Sequence, residues 1–347
     1  MIDQPVGWAF LGAGRHARLW LAPALQGASG ARAVGVWSRD PNHGAEFAAT
    51  YGVERVFASL EDALADPDVE TCLISTPNAL HAAHALAALR AGKHVLVEKP
   101  MATSPADALA LVQAARTAQR QLGVGFHLRH NVVVRAGREH IARGAIGQVQ
   151  YVSAQFNLVS SPPPRMNIPH AEWKRDPAQM GGAGALMGLG VHVIDLVRFL
   201  SGQEVTAVSA SATGITPNSP LESFAQVQLQ LEGGAHAHIV YGGAFPLSRN
   251  DAVIYGSAGR LTLEDVIDVA SGGLVELALP GVPAERLQPV VPDHYQAEIE
   301  AFQRAVRGQP PFEASGLDGL RNVEIASAIV ESQRGGGTLV PVERSGV

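Results

Sequence analysis

The feature that most constrains this chain is a short one. The apolar run Val6–Leu11 breaks into Gly12-Ala13-Gly14-Arg15-His16-Ala17 and passes straight into a helical stretch over residues 15–26. Two glycines at such a turn allow a tight bend and bring backbone N–H groups close to a pyrophosphate. A small sixth residue lets the helix sit close to the strand. Alone, the pattern is equally that of a plain strand-to-helix turn. The downstream sequence separates the two. Apolar runs at 72–74 and 95–97 follow one at 33–37, with helical stretches at 41–51 and 79–91 between them. Such alternation gives βαβ units and a parallel sheet covered on both faces. With right-handed crossovers it becomes a doubly wound Rossmann sheet, whose ligands lie at the strands' carboxyl ends. Dinucleotide binding follows, with Gly12, Gly14, Arg15 and His16 expected on the cofactor.

The other strand ends refine that expectation. The second strand ends in Trp37-Ser38-Arg39-Asp40, not in an acid at the position that would take the ribose 2′-OH of NAD. A hydroxyl at Ser38 followed by a guanidinium at Arg39 suits the 2′-phosphate of NADP, so NADP is preferred over NAD. Asp40 remains able to turn toward a ribose. Ser75-Thr76-Pro77-Asn78 and His81 stand at the end of another strand. Asn78 there reads either as a ligand for ribose or carboxamide, or as a helix cap. Glu98-Lys99-Pro100 ends the next strand and brings an acid and a lysine to the same crevice. Only Lys93, Lys99 and Lys174 are lysine among 26 basic residues, which favours a role for Lys99 on a substrate oxygen over the alternative of a surface Glu–Lys pair.

The second half has a different period. Val152, Ala154, Phe156 and Leu158 alternate with polar residues, as do Ala225, Val227, Leu229 and Leu231, the mark of strands with one buried face in an antiparallel sheet. Further strands are expected near 252–255, 260–263 and 339–342. A helix capped by Asp293 carries Tyr295, Ile299 and Phe302, and a second ends at glycines 335–337. A loop at 160–164 is proline-rich. The chain thus divides into a doubly wound dinucleotide-binding domain, 1–124, and a second domain of one-sided strands and helices, 125–347, a length that suits two domains. Between 181 and 190, five glycines lead into an apolar helix bearing His192 and, one turn on, Asp195. Asp195 at that spacing can orient His192. His-x-x-Asp supplies only two ligands, so no metal is expected.

Composition excludes several other classes. Of 347 residues 46 % are hydrophobic and 17 % charged, which excludes a disordered polyelectrolyte; the net charge of −6, without basic runs, argues against nucleic-acid and membrane-surface partners. One cysteine, Cys72, excludes a disulfide framework within the chain. With no apolar run of membrane-spanning length and no cationic start, a cytoplasmic location is expected.

Together these segments resemble the Gfo/Idh/MocA oxidoreductases. The resemblance rests on the turn at 12–17, Thr76-Pro77-Asn78 with His81, Ala91-Gly92-Lys93-His94-Val95 running to Glu98-Lys99-Pro100, the glycine loop with His192 and Asp195, and the closing helix and strand at 317–342. It implies a C-terminal α/β domain with an open, mostly antiparallel sheet that joins subunits into a homodimer or homotetramer. It further implies reversible hydride transfer between nicotinamide and a carbinol carbon of a sugar, polyol or cyclitol. His192 would be the general acid/base and Lys99 would polarise the reacting oxygen. Ser75, Thr76, Pro77, Asn78, His81 and Glu98 would line the cofactor. The chain departs from the family pattern at Gly188, four residues before the histidine, where many members carry aspartate. That departure leaves open a non-catalytic nucleotide-binding sensor or partner subunit, and a redox-neutral enzyme of glycosidase or epimerase type that retains NAD. Substrate contacts are expected from His127, Arg129, Asn157, Trp173, Arg175 and Asp195, with Trp173 either a sugar-stacking platform or a packing residue.

Overall fold

The computed structural model describes residues 4–158, 172–215, 220–243, 248–268, 272–290 and 292–346; the expected loop at 160–164 lies outside them. Strands β1 (Val6–Leu11), β2 (Ala31–Trp37), β3 (Arg55–Val56), β4 (Thr71–Ile74), β5 (His94–Val97) and β6 (Leu122–Val124) form one sheet. Their order is β3-β2-β1-β4-β5-β6, with every pairing parallel. The chain reverses its direction of growth between β1 and β4, so the crevice beyond their carboxyl ends is the dinucleotide position of a Rossmann fold. Helices α1 (Ala22–Gly27), α2 (Pro41–Tyr51), α3 (Leu60–Ala65), α4 (Asn78–Arg90) and α5 (Pro105–Ala118) connect these strands. The first helical stretch is not uniform. A π-turn over Ala17–Leu21 precedes α1, directly behind the glycine turn, and such turns concentrate at functional sites.

The second sheet has nine strands: β7 (Val149–Asn157), β8 (Val205–Thr213), β9 (Phe224–Leu231), β10 (His236–Gly242), β11 (Ala252–Gly256), β12 (Arg260–Glu264), β13 (Leu274–Ala278), β14 (Glu285–Leu287) and β15 (Val340–Pro341). Their order is β14-β13-β12-β11-β7-β10-β9-β8-β15. Every pairing is antiparallel except β7 with β10. One face is covered by α6 (Val132–Ala142), α8 (Val191–Ser201) and α10 (Gly316–Arg334). A short α7 (Pro177–Met180) and a second π-turn, Leu186–Gly190, lead into α8. Alternation on β9 buries Ala225, Val227, Leu229 and Leu231 and turns the intervening glutamines outward.

Two cores result, one around each sheet. The first also takes in residues from the far end of the chain. Helix α9 (His294–Val306), capped by Asp293 through the amides of Tyr295 and Gln296 at 2.8 and 3.1 Å, sends Tyr295, Ile299 and Phe302 into the Rossmann core. Phe302 lies 5.8 Å from Trp8 of β1, and helix α10 packs on both α5 and β8, bridging the sheets. Among the described residues no helix is long and apolar enough to cross a membrane.

Candidate active site

The glycine turn sets the floor of the site. Gly12 has φ +111°, and a Cβ there would lie 2.9 Å from the Ser75 carbonyl oxygen, so the loops after β1 and β4 touch only because residue 12 is glycine. Ser75 donates its hydroxyl to the Gly12 carbonyl at 3.4 Å, which commits it to this junction. A Cβ at Gly14 would meet nothing within 4 Å; the backbone there faces open space at the start of a helix, the setting a pyrophosphate needs. Arg15 beside it is exposed. At the end of β2, Arg39 is exposed, and no hydrogen bond or ion pair of it occurs among the described residues. Asp40 is occupied, accepting the Asn42 amide at 2.9 Å as the cap of α2. These features fit a nicotinamide dinucleotide.

His16 does more than follow the glycines. Its Nε2 lies 3.0 Å from Oε1 of Glu98, which is 6 % exposed, while the Lys99 amide donates to Oε2 at 3.3 Å. Burial alone would raise the Glu98 pKa, but His16, Lys99 and His81 carry it below the ordinary carboxylate value. The Lys99–Pro100 peptide is cis, and Lys99 Nζ donates to the Gly188 carbonyl across the crevice at 3.4 Å. Burial lowers the lysine's pKa and Glu98 opposes that.

Across the crevice stands His192, 5 % exposed on the first turn of α8. Phe156 packs at 5.9 Å and His127 at 4.8 Å, both edge-to-face. Its Nδ1 is buried and has no hydrogen-bond partner among the described residues, which leaves Nε2 as the nitrogen available to a substrate. Burial, then the charges of Lys99, His16 and His294, hold its pKa well below the usual histidine value. A neutral imidazole facing an ammonium is poised to accept a proton from an alcohol whose oxygen the ammonium polarises.

Several expected ligands are occupied elsewhere. His81 points one ring nitrogen at the Pro100 carbonyl, 2.8 Å, and the other at the Thr76 carbonyl, 2.7 Å, so it braces the two loops. The Thr76 hydroxyl meets His84 at 3.1 Å. Asn78 is not the cap of α4; Pro77 holds that place, and the Asn78 amide faces Met180 Sδ at 3.9 Å. Asp195 does not orient His192. Its carboxylate takes two hydrogen bonds from Arg129, Nε at 2.9 Å and Nη2 at 2.6 Å, in a network with Asp318, Arg198 and Glu204. Arg129 and Asp195, both expected at the substrate, are thus bound to each other as a bidentate buried pair. Burial raises the Asp195 pKa against the pull of Arg129.

The remaining expected contacts divide. Asn157 is buried, donates its backbone amide to Asn250 Oδ1 at 2.9 Å and keeps an unpaired Oδ1. Trp173 is half-buried against the second core, with Lys174 Nζ 5.7 Å from its ring, and Arg175 is exposed. Lys174 was not anticipated. It is exposed, and the nearness of Lys99 and Arg15, whose charges act on its ammonium, sets it at the rim of the same crevice. The scarcity of lysine was the available signal for it. His294, Tyr295 and Glu298 were also unforeseen as site residues, since their distance in sequence hides their position behind His127. Tyr295 stacks on His127 at 4.3 Å, and Glu298 is 1 % exposed with a pKa raised well above the carboxylate value by burial, Glu98 and Asp195. Among the described residues no group of three or more His, Cys, Asp or Glu side chains is arranged to hold a metal.

Comparison with known proteins agrees with this architecture. Residues 6–126 match the model of an oxidoreductase family with the NAD-binding Rossmann fold, and residues 134–262 match the GFO/IDH/MocA C-terminal domain. The chain is 31 % identical to the 1,5-anhydro-D-fructose reductase of Ensifer adhaerens, over 94 % of its own length and 95 % of the reductase. It is 29 % identical to the dTDP-3,4-didehydro-2,6-dideoxy-alpha-D-glucose 3-reductase of Saccharopolyspora spinosa, over 96 % and 99 % of the two chains. Among solved structures, the aldose-aldose oxidoreductase of Caulobacter crescentus, complexed with glycerol, superposes with a TM-score of 0.85 at 26 % identity, covering 97 % of this chain and 100 % of that one.

Proposed function

Because the chain belongs to the GFO/IDH/MocA oxidoreductases, a family with an NAD-binding Rossmann fold, we propose that it transfers hydride between a nicotinamide cofactor and a carbinol carbon of a sugar or polyol, with Lys99 and His192 as the acid/base pair. The observation that carries this is their convergence: Lys99 Nζ reaches the carbonyl of Gly188, one turn before His192, and the charge of Lys99 acts on the His192 ring. When bound, the cofactor supplies or receives the hydride. The chain's own residues do the rest. The backbone at Gly12–Gly14 and the exposed Arg15 hold the pyrophosphate. His192 Nε2 takes the hydroxyl proton in the oxidation direction and returns it in reduction. Lys99 donates an N–H to the same oxygen and offsets its developing negative charge. Glu98, fixed by His16 at 3.0 Å, anchors the backbone of Lys99 and links that lysine to the glycine turn.

NADP is preferred over NAD on this reading. Among the described residues Arg39 makes no hydrogen bond or ion pair at the end of β2, while Asp40 is held as a helix cap. The outer face of the nine-stranded sheet supports association into a dimer or tetramer. Tyr151 and Tyr255 pair there, 6.1 Å apart, and Gln226 and Gln228 lie on the same face beyond the intervening strand β10 with His236 and His238. The functional test is nicotinamide absorbance over a panel of aldoses, ketoses, polyols and inositols, with NAD and NADP in both directions and Lys99→Met as the blank. A Lys99-dependent signal supports the reading. Nucleotide binding without turnover, or product without net cofactor change, replaces it with a binding role or redox-neutral chemistry.

A further inference from the structure

The acid/base histidine has no acidic partner on its own helix. Position 188, one turn earlier, is glycine, and a Cβ built there meets nothing within 4 Å. Asp195, one turn later, gives both oxygens to Arg129. Yet the Nδ1 of His192 is buried and lacks a hydrogen-bond partner among the described residues. A buried imidazole that must gain and lose a proton needs something at that atom to set its tautomer and receive its charge.

The ring beside it is His127, at 4.8 Å between centroids and 74° between planes. His127 is 2 % exposed, and its Nε2 is likewise buried without a partner. Two adjacent imidazoles therefore each present an orphaned ring nitrogen, with no hydrogen bond between the rings in the resting structure. His127 is held firmly in place. It opens the 3-10 turn His127–His130 after β6 and lies flat on Tyr295 at 4.3 Å and 18°, with His294 at 4.7 Å, both on α9. Burial, and then the charges of His294, His192, Lys99 and His16, all bases, hold its pKa well below the usual histidine value, so the pair takes up one additional proton more readily than two.

We infer that His127 is the positioning residue for His192. In the working enzyme His192 Nδ1–H donates to His127 Nε2, directly after a small ring rotation or through one water. This fixes the tautomer that leaves Nε2 of His192 open to the substrate. As the carbinol oxygen gives its proton to His192 Nε2 and the carbinol hydrogen leaves as hydride to the nicotinamide, the Nδ1 proton shifts toward His127 Nε2, and the positive charge spreads over both rings. The proton returns by the same route in reduction. The inference rests on His192 being the acid/base group, and catalytic hydrogen bonds of this kind are often long before substrate binds.

The test compares His127→Phe, which keeps the stack on Tyr295, with His127→Gln, which keeps a polar acceptor. His127→Phe is expected to lower kcat on the order of 10²-fold, as loss of alignment at a reacting group does, with KM and nucleotide affinity within about twofold. Its acid limb in kcat/KM moves to lower pH, because His192 loses the acceptor that stabilised its charged form. Introducing Gly188→Asp into His127→Phe places an acid one turn before His192 and restores much of kcat, whereas the same change beside an intact His127 adds little. Unchanged kcat and an unmoved limb in His127→Phe overturn the inference. So does an equal loss in His127→Phe and His127→Gln accompanied by loss of nucleotide affinity, which marks a purely structural role. Retained turnover in His192→Ala sinks the underlying acid/base reading instead, so the two failures are distinguishable.

Discussion

Removing Arg129 tests whether the ion network under α8 is held by its buried pair. Arg129 and Asp195 are 6 % and 2 % exposed at the side chain. Arg129→Met deletes two bonds to Asp195 at 2.9 and 2.6 Å, one to Asp318 at 2.9 Å and one to the Glu313 carbonyl at 2.5 Å. The methionine preserves much of the packing between Phe126 and Phe199, so the change is chiefly electrostatic. Stripping one partner from a buried pair costs about 3–5 kcal/mol, because the survivor stays buried and uncompensated. Arg198, 3.8 Å from Asp195, is an imperfect replacement and sets the expectation at the low end, about 3 kcal/mol, on the order of a 10²-fold shift in the folding equilibrium. Urea unfolding monitored by fluorescence reads it. The pH dependence supplies a second check. Without Arg129 the Asp195 pKa, already raised, rises further above its ordinary value of 3.8. A carboxyl with a raised folded pKa destabilises above that pKa and ceases to do so below its unfolded value, so the deficit should shrink as pH falls toward 4. Arg129→Met/Asp195→Leu should recover most of the loss. A deficit below about 1 kcal/mol that does not change with pH would refute the assignment.

Three further outcomes are expected. Arg39→Ala should weaken NADP binding by roughly 10- to 100-fold, the worth of a charge-assisted hydrogen bond, and leave NAD nearly unchanged by fluorescence titration; equal loss for both cofactors contradicts the 2′-phosphate assignment. The acid limb of kcat/KM for alcohol oxidation should lie below the ordinary histidine value of 6.5, because burial and neighbouring cations keep His192 neutral until lower pH; a limb above 6.5 would contradict that environment. Cys72 is buried on β4 with its thiol pushed up to about 12, so the native protein should not react with a thiol reagent that labels it fully after unfolding.

How much of this was legible in the sequence follows from the range over which each signal acts. The period of the apolar runs is local, and it placed β1, β4, β5 and α2 to within a residue or so. The position of Gly12, Ser38, Arg39 and Glu98 at strand ends was readable for the same reason, since the parallel fold delivers those ends to one crevice. Side-chain pairing is not local. Asp195 stands one turn from His192 but bonds Arg129, 66 residues away in sequence. His81 and Ser75 carry the right chemistry for a ligand and spend it on backbone carbonyls. Gln226, Gln228 and Gln230 disclosed a strand, but β8 and β10, which flank it, carry weaker alternation and became visible only through pairing. The π-turns before α1 and α8 follow no simple apolar period, and both lie next to the site.

The return of α9 into the first core has a consequence for how the molecule can be divided. Phe302 and Tyr295 are almost fully buried, Phe302 beside Trp8 of the first strand, and the Gln303 side chain accepts from the Trp8 indole at 3.4 Å. A fragment ending at residue 124 would leave that aromatic surface facing water, including a tryptophan that the intact protein seals completely. The nucleotide half is therefore completed last in synthesis, by residues that leave the ribosome after the whole second sheet except its closing edge strand. It is the intact chain, and not either half, that is the unit of inheritance for fusion, truncation or domain exchange.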